Sequence, residues 1–397
     1  MSNLEEVVFS DNQFEGSIPP EFCKLYYLEF LDLSRNDLSG SIPPCFSELP
    51  NLRHVLLSRN KLRGFIPYAF INSTGLGILD LGGNNFSGKI PNWISNFSNL
   101  TILLLQANNF HGNIPIELCR LKQLNILDLS SNNLSGRLHA CLSNLSSMPV
   151  SVPYQEFLRI PDINSLPNFE DPTSDFGRFR SSMEEVLELT TKSNSLSYTG
   201  YILDYMYGID LSCNRFSGEI PIEFGNLANV KSLNLSHNNL ISLIPTTFSN
   251  LKQLESLDLS YNDLNGQIPP QLIEVTTLEV FIVAHNNLSG PIPTKNQFGT
   301  FNGSSYEGNP LLYGPSLSKS CDETNVASPA TYPFIEQRED DSFMDMIDFW
   351  VSFLVAYIMI LLGMAIVLYI NPYWRAVWFY QIEVCINNCY YFVVDKF

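Results

Sequence analysis

Five aspartates stand at one phase of the sequence and are the plainest candidates for acid–base chemistry. Each lies four residues before a recurring asparagine, within a Leu-Asp-Leu-Ser consensus. They are Asp32, Asp80, Asp128, Asp210 and Asp258. Two carboxyl groups can act as general acid and general base when they face one substrate. Because these five repeat one consensus and we expect them on an exposed sheet face, the pattern favours a structural element over a catalytic pair.

The remaining residues that could carry chemistry do not form an active-site pattern. The histidines are scattered without the spacing of metal ligands. They are His54, His111, His139, His237 and His285. The sequence contains neither a glycine-rich phosphate loop nor a nucleophile elbow. The sequence therefore predicts a protein that is not an enzyme and that needs no cofactor.

Net charge narrows the possible partners. The formal net charge is −18 over 397 residues. Nucleic-acid binding needs clustered Lys and Arg that neutralise phosphates. The composition therefore argues against nucleic acid as a partner, and a solvated acidic surface is the simpler interpretation.

Four of the eight cysteines occur as two pairs with identical phasing. In each pair the two residues stand 11 and 9 positions after the asparagines of successive repeats. This spacing places each pair on adjacent turns, close enough for a bridge. We predict the disulfides Cys23–Cys45 and Cys119–Cys141; the alternative is that these cysteines are small buried apolar residues.

Nine Asn-x-Ser/Thr sequons all lie on the N-terminal side of residue 303. They are Asn72, Asn85, Asn96, Asn99, Asn133, Asn144, Asn234, Asn287 and Asn302. One sequon is weak evidence, and several of these follow from a repeated Asn-x-Leu-Ser-Gly consensus. Their restriction to one side predicts that this side enters the secretory lumen and carries glycans.

A 24-residue repeat must position all of these residues. Asparagine recurs at 12, 36, 60, 84, 108 and 132, and again at 214, 238, 262 and 286. Around it runs the pattern L-x-x-L-x-L-x-x-N-x-L-x-G-x-I-P, with a clean copy from Leu254 to Pro269. Two copies depart from the consensus, since Ser242 stands where the others have Gly, and Leu138-His139 stands where the others have Ile-Pro. A fixed period of this length is typical of leucine-rich repeats.

The physical chemistry of the repeat predicts its fold. Leu257 and Leu259 alternate as in a short strand with an apolar inner face. The amide of Asn262 can bond to the backbone of neighbouring turns, which satisfies buried polar groups. One repeat cannot bury its own apolar edge, so many stack into one core. We predict an α/β leucine-rich-repeat solenoid with a curved parallel β-sheet, an irregular or 3-10 convex side and a concave binding face.

A long insertion, the island (148–205), interrupts the array between Asn132 and Asn214. Its first half is rich in proline and reads as loop. Its second half is predicted to form strands that begin near Val186 and Leu187. Long insertions in solenoids fold against one face, often the binding face. We predict a folded island, and a disordered linker is the alternative.

At the exit of the island the sequence resembles plant receptor-like proteins, which are leucine-rich-repeat receptors without a kinase domain. Lys192 and Tyr198 match the family's Lys-x5-Tyr motif, with Gly200 close behind. Four repeats follow, then the runs QFGTF and SYEGNP, which resemble the family's C-terminal cap. Tyr313 stands where the family has the first cysteine of a cap disulfide, which leaves the pairing of Cys321 open.

The resemblance implies particular partners. These are an extracellular ligand, an adaptor receptor-like kinase and a SERK-type co-receptor kinase that meets the island and the last four repeats. Exposed strand positions make a candidate co-receptor or ligand face there, although each could be ordinary solvated surface. They are Lys231, His237, Glu255, Tyr261, Glu279 and His285.

The C-terminal part of the chain predicts a membrane anchor. Phe349 to Ile370 is an uncharged apolar run of 22 residues, long enough to span a bilayer as a helix. An acidic stretch precedes it, which could pair with a basic partner segment or simply be solvated. Arg375 follows the run and favours a cytoplasmic tail. We predict a single-pass plasma-membrane protein with its N-terminal side outside.

The predicted organisation follows from these segments. It comprises six leucine-rich repeats (1–147), the island (148–205), four repeats (206–298), a cap (299–333), an acidic juxtamembrane segment (334–348), a transmembrane helix (349–370) and a short tail (371–397). Members of the family begin with a signal peptide and an N-terminal cap, whereas this sequence starts inside a repeat, so we expect an N-terminally truncated copy or an incomplete gene model.

These features predict a cell-surface receptor that binds a peptide, protein or glycan and signals through partner kinases, in plant immunity or development. The alternatives are a binding module without signalling, such as a decoy or an inhibitor of a secreted enzyme, and a receptor fragment without function. The identity of the ligand depends on exposed strand residues, which the repeat consensus does not specify.

Overall fold

A computed structural model describes residues 4–66, 68–145, 186–191, 194–199, 203 and 205–317. The predicted juxtamembrane segment, transmembrane helix and tail, together with Cys321, Lys192, Gly200 and most of the island, lie outside these residues. Within the described ranges, no helix combines the length and the apolar character needed to cross a bilayer.

Short strands and single 3-10 turns alternate along the chain. The strands are β1 (Glu6–Val8), β2 (Glu15–Ser17), β3 (Phe30–Asp32), β4 (Asp37–Gly40), β5 (His54–Leu56), β6 (Lys61–Gly64), β7 (Ile78–Asp80), β8 (Asn85–Gly88), β9 (Ile102–Leu104), β10 (Asn109–Gly112), β11 (Ile126–Asp128), β12 (Asn133–Arg137), β13 (Val186–Thr191), β14 (Asn194–Thr199), β15 (Gly208–Asp210), β16 (Arg215–Glu219), β17 (Ser232–Asn234), β18 (Asn239–Ser242), β19 (Ser256–Asp258), β20 (Asp263–Gly266), β21 (Val280–Ile282), β22 (Asn287–Pro291) and β23 (Leu311–Tyr313). The 3-10 helices are Pro20–Lys24, Pro44–Glu48, Tyr68–Phe70, Asn92–Asn96, Ile116–Arg120, Ala140–Asn144, Ile222–Asn226, Thr246–Asn250, Pro270–Glu274, Asn296–Gly299, Gly303–Ser305 and Pro315–Leu317.

Ten strands form the predicted parallel sheet, in the order β1-β3-β5-β7-β9-β11-β15-β17-β19-β21. Leu233 pairs with Leu257 one repeat later, and Leu127 pairs with Ile209 across the island. The register therefore continues through the insertion. The predicted solenoid of parallel strands and 3-10 turns is confirmed.

A second parallel sheet of eleven strands runs beside the first, from β2 through the even-numbered strands of the repeats to β23. The repeat pattern did not predict this second sheet. Its strands use the Asn-x-Leu-x-Gly part of the repeat, where Gly266 has a φ of +75°. That left-handed conformation bends the chain out of the strand at little cost for glycine. Ser242 adopts the same conformation, with a φ of +76°, at the position where its repeat lacks glycine.

The core lies between the sheets and the 3-10 side, and an asparagine ladder runs beside it. The Nδ2 of Asn60 donates to the carbonyl of Leu33 at 2.9 Å, and its Oδ1 accepts from the N–H of Leu38 at 2.9 Å. Both partners lie in the preceding repeat. The side chain of Asn60 thereby satisfies buried backbone groups that the short strands leave unpaired at the turn.

The C-terminal end of the stack is closed by aromatic side chains. Phe281, Phe298 and Tyr306 are fully buried there. Asn309, from the run SYEGNP, takes the next place in the ladder: its Oδ1 accepts from the N–H of Leu288 at 3.0 Å. The residues that resemble the family's cap therefore terminate the core and the ladder together.

Candidate functional site

The concave face of the first sheet is apolar over its N-terminal part. Phe30, Leu56, Ile78, Ile102, Leu104 and Ile126 point outward from their strands, yet none is more than 8% exposed. They share one apolar cluster with Leu187 and Leu203 of the island. Side chains of the insertion therefore pack over this part of the face, because the outward positions there are apolar instead of polar.

The second half of the island contains an antiparallel hairpin. Strands β13 and β14 pair along six residues each, and Leu187 lies opposite Tyr198. Leu187 is fully buried, and Tyr198 is partly buried against the apolar cluster of the concave face. Of the predicted island motif, Tyr198 is thus placed at the cluster, whereas Lys192 and Gly200 lie outside the described residues.

Over strands β15, β17 and β19 the concave face carries polar side chains, whereas β21 carries Val280 and Ile282. Ser232 and Ser256 replace the outward Ile residues of the earlier strands. On one border of the face, Lys231 and Glu255 lie half-buried with their Nζ and Oε1 atoms 3.6 Å apart, and Glu279 is exposed. These three of the six predicted face residues therefore form one row that precedes strands β17, β19 and β21.

The other three predicted face residues form a stack of rings. The ring centroids of His237 and Tyr261 are 4.2 Å apart with an interplanar angle of 11°. Tyr261 and His285 follow at 4.3 Å and 18°. All three residues have left-handed φ values of 52° to 56°, which turns their side chains outward at the border between the two sheets. The stack ends near Glu307, whose Oε1 lies 3.8 Å from the Nε2 of His285.

The expectation that the aspartate row is exposed was wrong for three of its members. Asp80, Asp128 and Asp210 are only 5%, 6% and 9% exposed. The reason is the island, whose apolar residues exclude water from that part of the face. Burial raises the pKa of Asp128 to about 7, and the neighbouring Asp210 carboxyl acts on it in the same direction. Burial also raises the pKa of Asp210.

The aspartates have structural partners. In four of them Oδ1 accepts hydrogen bonds from the N–H and the Oγ–H of the serine two residues later, as in Asp258 with Ser260 at 2.9 and 2.7 Å. The same arrangement joins Asp32 to Ser34, Asp128 to Ser130 and Asp210 to Ser212. No cluster of three potential metal ligands occurs in the part of the chain that the structure describes.

Both predicted cysteine pairs are disulfides in the structure. Cys23 and Cys45 have Cα atoms 5.7 Å apart, and Cys119 and Cys141 have Cα atoms 5.6 Å apart. Each bridge joins the 3-10 helices of two successive repeats on the convex side. Each disulfide therefore ties one repeat to the next on the side opposite the concave sheet.

Eight of the nine predicted sequon asparagines are exposed. Asn234 differs because it is half-buried on the concave face. Its Nδ2 donates to Oδ2 of Asp210 at 3.0 Å, and its Oδ1 accepts from the Oγ–H of Ser236 at 2.8 Å. The amide nitrogen that would carry a glycan at Asn234 is therefore already engaged within the fold.

Comparison with known proteins agrees with the repeats. A leucine rich repeat family model matches residues 2–62, 50–110 and 205–264, and a second leucine rich repeat model matches residues 123–145. The chain is 60% identical over 219 residues to Cuscuta receptor 1 of Solanum lycopersicum, an alignment that covers 55% of this chain and 19% of that protein. It is 55% identical over 207 residues to Receptor-like protein 1 of Arabidopsis thaliana, covering 51% of this chain and 19% of that protein.

Among solved structures, the chain is similar to the Arabidopsis receptor kinase HAESA in its complex with the peptide hormone IDA and the co-receptor SERK1. The identity is 30% and the TM-score 0.59, over 78% of this chain and 42% of that chain. The fold defines a leucine-rich-repeat protein. About half of the chain is similar to plant receptor-like proteins, and the alignments span about a fifth of the length of these relatives.

Proposed function

We propose that the chain is the membrane-proximal part of a cell-surface receptor-like protein that binds an extracellular ligand and signals through partner receptor kinases. In this proposal the run 349–370 anchors it in the plasma membrane, and the repeats face outward. A kinase-bearing adaptor meets the membrane segment. A SERK-type co-receptor meets the island and the last four repeats.

One observation carries the proposal: the concave face differs between its two parts. The N-terminal part is apolar and packed against island residues such as Leu187. The C-terminal part carries the half-buried pair Lys231 and Glu255 and the exposed ring stack centred on Tyr261. Rigid aromatic side chains that are already ordered lose little entropy on binding, which is typical of interface hot spots. We therefore assign partner binding to the last four repeats.

The similarity to HAESA supports the same assignment, because HAESA was solved with a peptide hormone and with SERK1. By this analogy the ligand would bridge this chain and its co-receptor. Function does not follow from a leucine-rich-repeat fold alone, so the assignment depends on the surface residues and needs a direct test.

The test measures capture of kinases by the tagged full-length chain in plant cells. A SERK-type co-receptor and an adaptor receptor-like kinase are co-expressed, and the bound amount of each is quantified after immunoprecipitation. Tyr261→Ala removes the middle ring of the stack, which is 46% exposed. We expect it to reduce co-receptor capture by at least about thirtyfold, which corresponds to the loss of about 2 kcal/mol at one hot-spot residue, and to leave adaptor capture unchanged.

Tyr27→Ala is the matched control, since Tyr27 is 55% exposed and lies at the opposite end of the solenoid. It should capture both kinases as the wild-type chain does. Capture of neither kinase by the wild-type chain would contradict the signalling proposal and favour a binding module without signalling. Equal loss in both variants would assign the effect to folding.

A further inference from the structure

The island separates one pair of neighbouring strands in the first sheet, β11 and β15, and we call this pair the joint. Strands β11 and β15 are neighbours in register, with Asp128 opposite Asp210, although the whole island lies between them in sequence. Every other neighbouring pair of this sheet comes from consecutive repeats without an insertion, as in Leu233 with Leu257. In this sheet the last four repeats are thus joined to the first six through a pair of strands in which two aspartates lie opposite each other.

The surroundings of Asp128 make a negative charge there costly. Its neighbour on the N-terminal side is Leu104, which is fully buried. Its neighbour on the C-terminal side is Asp210, one strand spacing away, which is about 4.8 Å in a sheet. Ile126, two residues earlier on the same face, belongs to the apolar cluster that includes the island's Leu187. Asp128 therefore lies between an apolar side chain and a second carboxyl group.

The other groups around the pair do not supply a compensating positive charge within the described part of the chain. The charged groups that act on the pair are Asp80 on the side of Asp128 and Asp258 on the side of Asp210, and both are acidic. Among the described side chains of the island hairpin, Leu187 and Tyr198 lie at this cluster, and neither is a cation. Two ionised carboxylates side by side in a water-poor setting repel each other strongly, and one retained proton removes that repulsion.

The next pair of strands, β15 and β17, shows how Asp210 can obtain a hydrogen-bond donor from a neighbouring strand. Asn234 stands at the position of an aspartate in its repeat, and its Nδ2 donates to Oδ2 of Asp210 at 3.0 Å. Its Oδ1 still accepts from the N–H of Ser236, as Oδ1 of Asp128 accepts from Ser130. A protonated Asp128 would present a donor to Asp210 from the opposite side in the same way.

We propose that Asp128 and Asp210 form a proton-dependent joint, in which one shared proton lets a carboxyl donate to a carboxylate and so fastens the last four repeats to the first six. Loss of that proton leaves two facing carboxylates, and the joint opens more readily. The solenoid is then firmly joined in an acidic medium and more easily opened near neutral pH.

The sign of the effect follows from proton linkage. Burial raises the pKa of Asp128 from 3.8 to about 7, so between these values the folded joint holds a proton that the open joint releases. A state that binds more protons loses stability as pH rises. The stability of the joint therefore falls as pH rises from about 4 to about 7, and changes little above that range.

Hydrogen exchange of the full chain tests this inference at single amides. The N–H of Leu129 donates to the carbonyl of Asp210 at 2.9 Å, so its exchange reports opening of the joint. The N–H of Leu57 makes the same bond to Asp80 within the first repeats, at 2.8 Å, and serves as the reference. After correction for intrinsic exchange, we expect the opening constant at Leu129 to rise by up to about 10²-fold between pH 5 and pH 8. We expect much less change at Leu57.

Asp128→Asn is the decisive variant, because it reproduces the arrangement seen at Asn234. We expect its Leu129 amide to keep the pH 5 protection at pH 8. Asp258→Asn is the matched control, since Asp258 bonds to its serine in the same way but lies next to Asn234 and Ile282. It should keep the wild-type response to pH.

Two results would overturn the joint. One is a wild-type opening constant at Leu129 that does not change with pH relative to Leu57. The other is a full pH response that persists in Asp128→Asn. Asp210→Asn removes the facing carboxylate but leaves Asp128 buried, so it should reduce the pH response without abolishing it. An undiminished response in Asp210→Asn would also count against the joint, so a folding defect in one variant does not leave the inference without a test.

Discussion

The backbone N–H of Leu134 donates to Oδ1 of Asn214 at 3.0 Å, across 80 residues of sequence. Between ordinary neighbouring repeats the same bond spans 22 residues, as from Leu240 to Asn262. Asn214 also donates from Nδ2 to the carbonyl of Leu129 at 2.9 Å. The asparagine ladder therefore crosses the island without a gap, and the ten repeats behave as one stack.

Asn214→Ala should destabilise the solenoid more than an ordinary substitution does. It leaves the buried N–H of Leu134 without its side-chain acceptor, whereas the carbonyl of Leu129 loses one of two donors and keeps Nδ2 of Asn132 at 3.2 Å. One buried unpaired group costs about 1–3 kcal/mol, so we expect the free energy of unfolding to fall by roughly 1–3 kcal/mol. Urea unfolding followed by circular dichroism measures it.

Asn12→Ala is the control for this prediction, because Asn12 is exposed and, among the described residues, its Nδ2 bonds to carbonyls of its own repeat alone, those of Phe9 and Ser10. It should cost less than about 1 kcal/mol. Equal losses in the two variants would show that the ladder contributes little beyond local turn structure.

Ser242→Gly should stabilise the second sheet. Ser242 has a φ of +76°, whereas the equivalent positions in adjoining repeats are Gly218 and Gly266, at +84° and +75°. A left-handed conformation costs a residue with a Cβ about 1–2 kcal/mol. Part of this gain is offset by the greater freedom of glycine in the unfolded chain. We expect a net gain of about 0.5–1 kcal/mol in the free energy of unfolding.

Ser217→Gly is the matched change in the neighbouring strand β16. A glycine inside a strand is unfavourable by about 0.5–1 kcal/mol, so this variant should lose stability. A loss of stability in Ser242→Gly as well would mean that the serine side chain makes a contribution larger than its backbone strain.

Tyr306→Phe should leave the cap as stable as before or slightly more stable. Tyr306 is fully buried and its hydroxyl oxygen has no hydrogen-bond partner within the described residues. Burial raises the pKa of this phenol, so the hydroxyl stays protonated. Its hydrogen then has no acceptor within the described residues. Removing an unpaired buried hydroxyl should raise the free energy of unfolding by about 1 kcal/mol. A loss of more than that amount would reveal a bound water or another partner for the hydroxyl.

Glycan occupancy should separate the sequons by their exposure. In the full-length chain expressed in plant cells, glycopeptide mass spectrometry should find Asn85 occupied, since it is exposed, and Asn234 unmodified, since its amide is bonded to Asp210. Asn85→Gln should increase gel mobility by one glycan, whereas Asn234→Gln should not. Insensitivity of the whole chain to glycosidase would contradict the proposed outward orientation of the repeats.

Tyr198→Ala tests the role of the island in partner binding. Tyr198 lies at the border between the island hairpin and the apolar cluster of the concave face. Under the proposed function, its loss should weaken capture of a SERK-type co-receptor by roughly fivefold to tenfold. Tyr205→Ala is the control, because Tyr205 also belongs to the island and is 53% exposed. Unchanged capture in Tyr198→Ala would count against the island as a contact surface.

The repeat period alone predicts much of this fold. Leu257 on an inner strand position, Asn262 in the ladder and the Cys23–Cys45 bridge all follow from a phase read along the sequence. The reason is that each repeat of a solenoid contacts only its neighbours. A separation of one repeat in sequence then becomes one strand spacing in space, so periodic positions can be placed without knowing the rest of the chain.

Other features depend on contacts that no period describes. The resemblance of SYEGNP to a cap did not reveal that Asn309 extends the ladder. Asn309 stands 21 residues after its partner Leu288, whereas the ladder asparagines of ordinary repeats stand 22 residues after theirs. The second sheet was also missed, because its strands contain glycine and asparagine, which are poor strand formers by propensity.

The sequence by itself thus determined the stack of repeats, the ladder and the disulfide phasing. Only the tertiary structure decided which parts of the concave face remain open. Five aspartates share one consensus, yet Asp128 and Asp210 are buried and Asp258 is not. What separates them is the packing of island residues such as Leu187 on the outward Ile and Leu side chains of the earlier strands. That contact joins segments far apart in sequence, and its energy depends on the water it excludes, which a repeat pattern does not record.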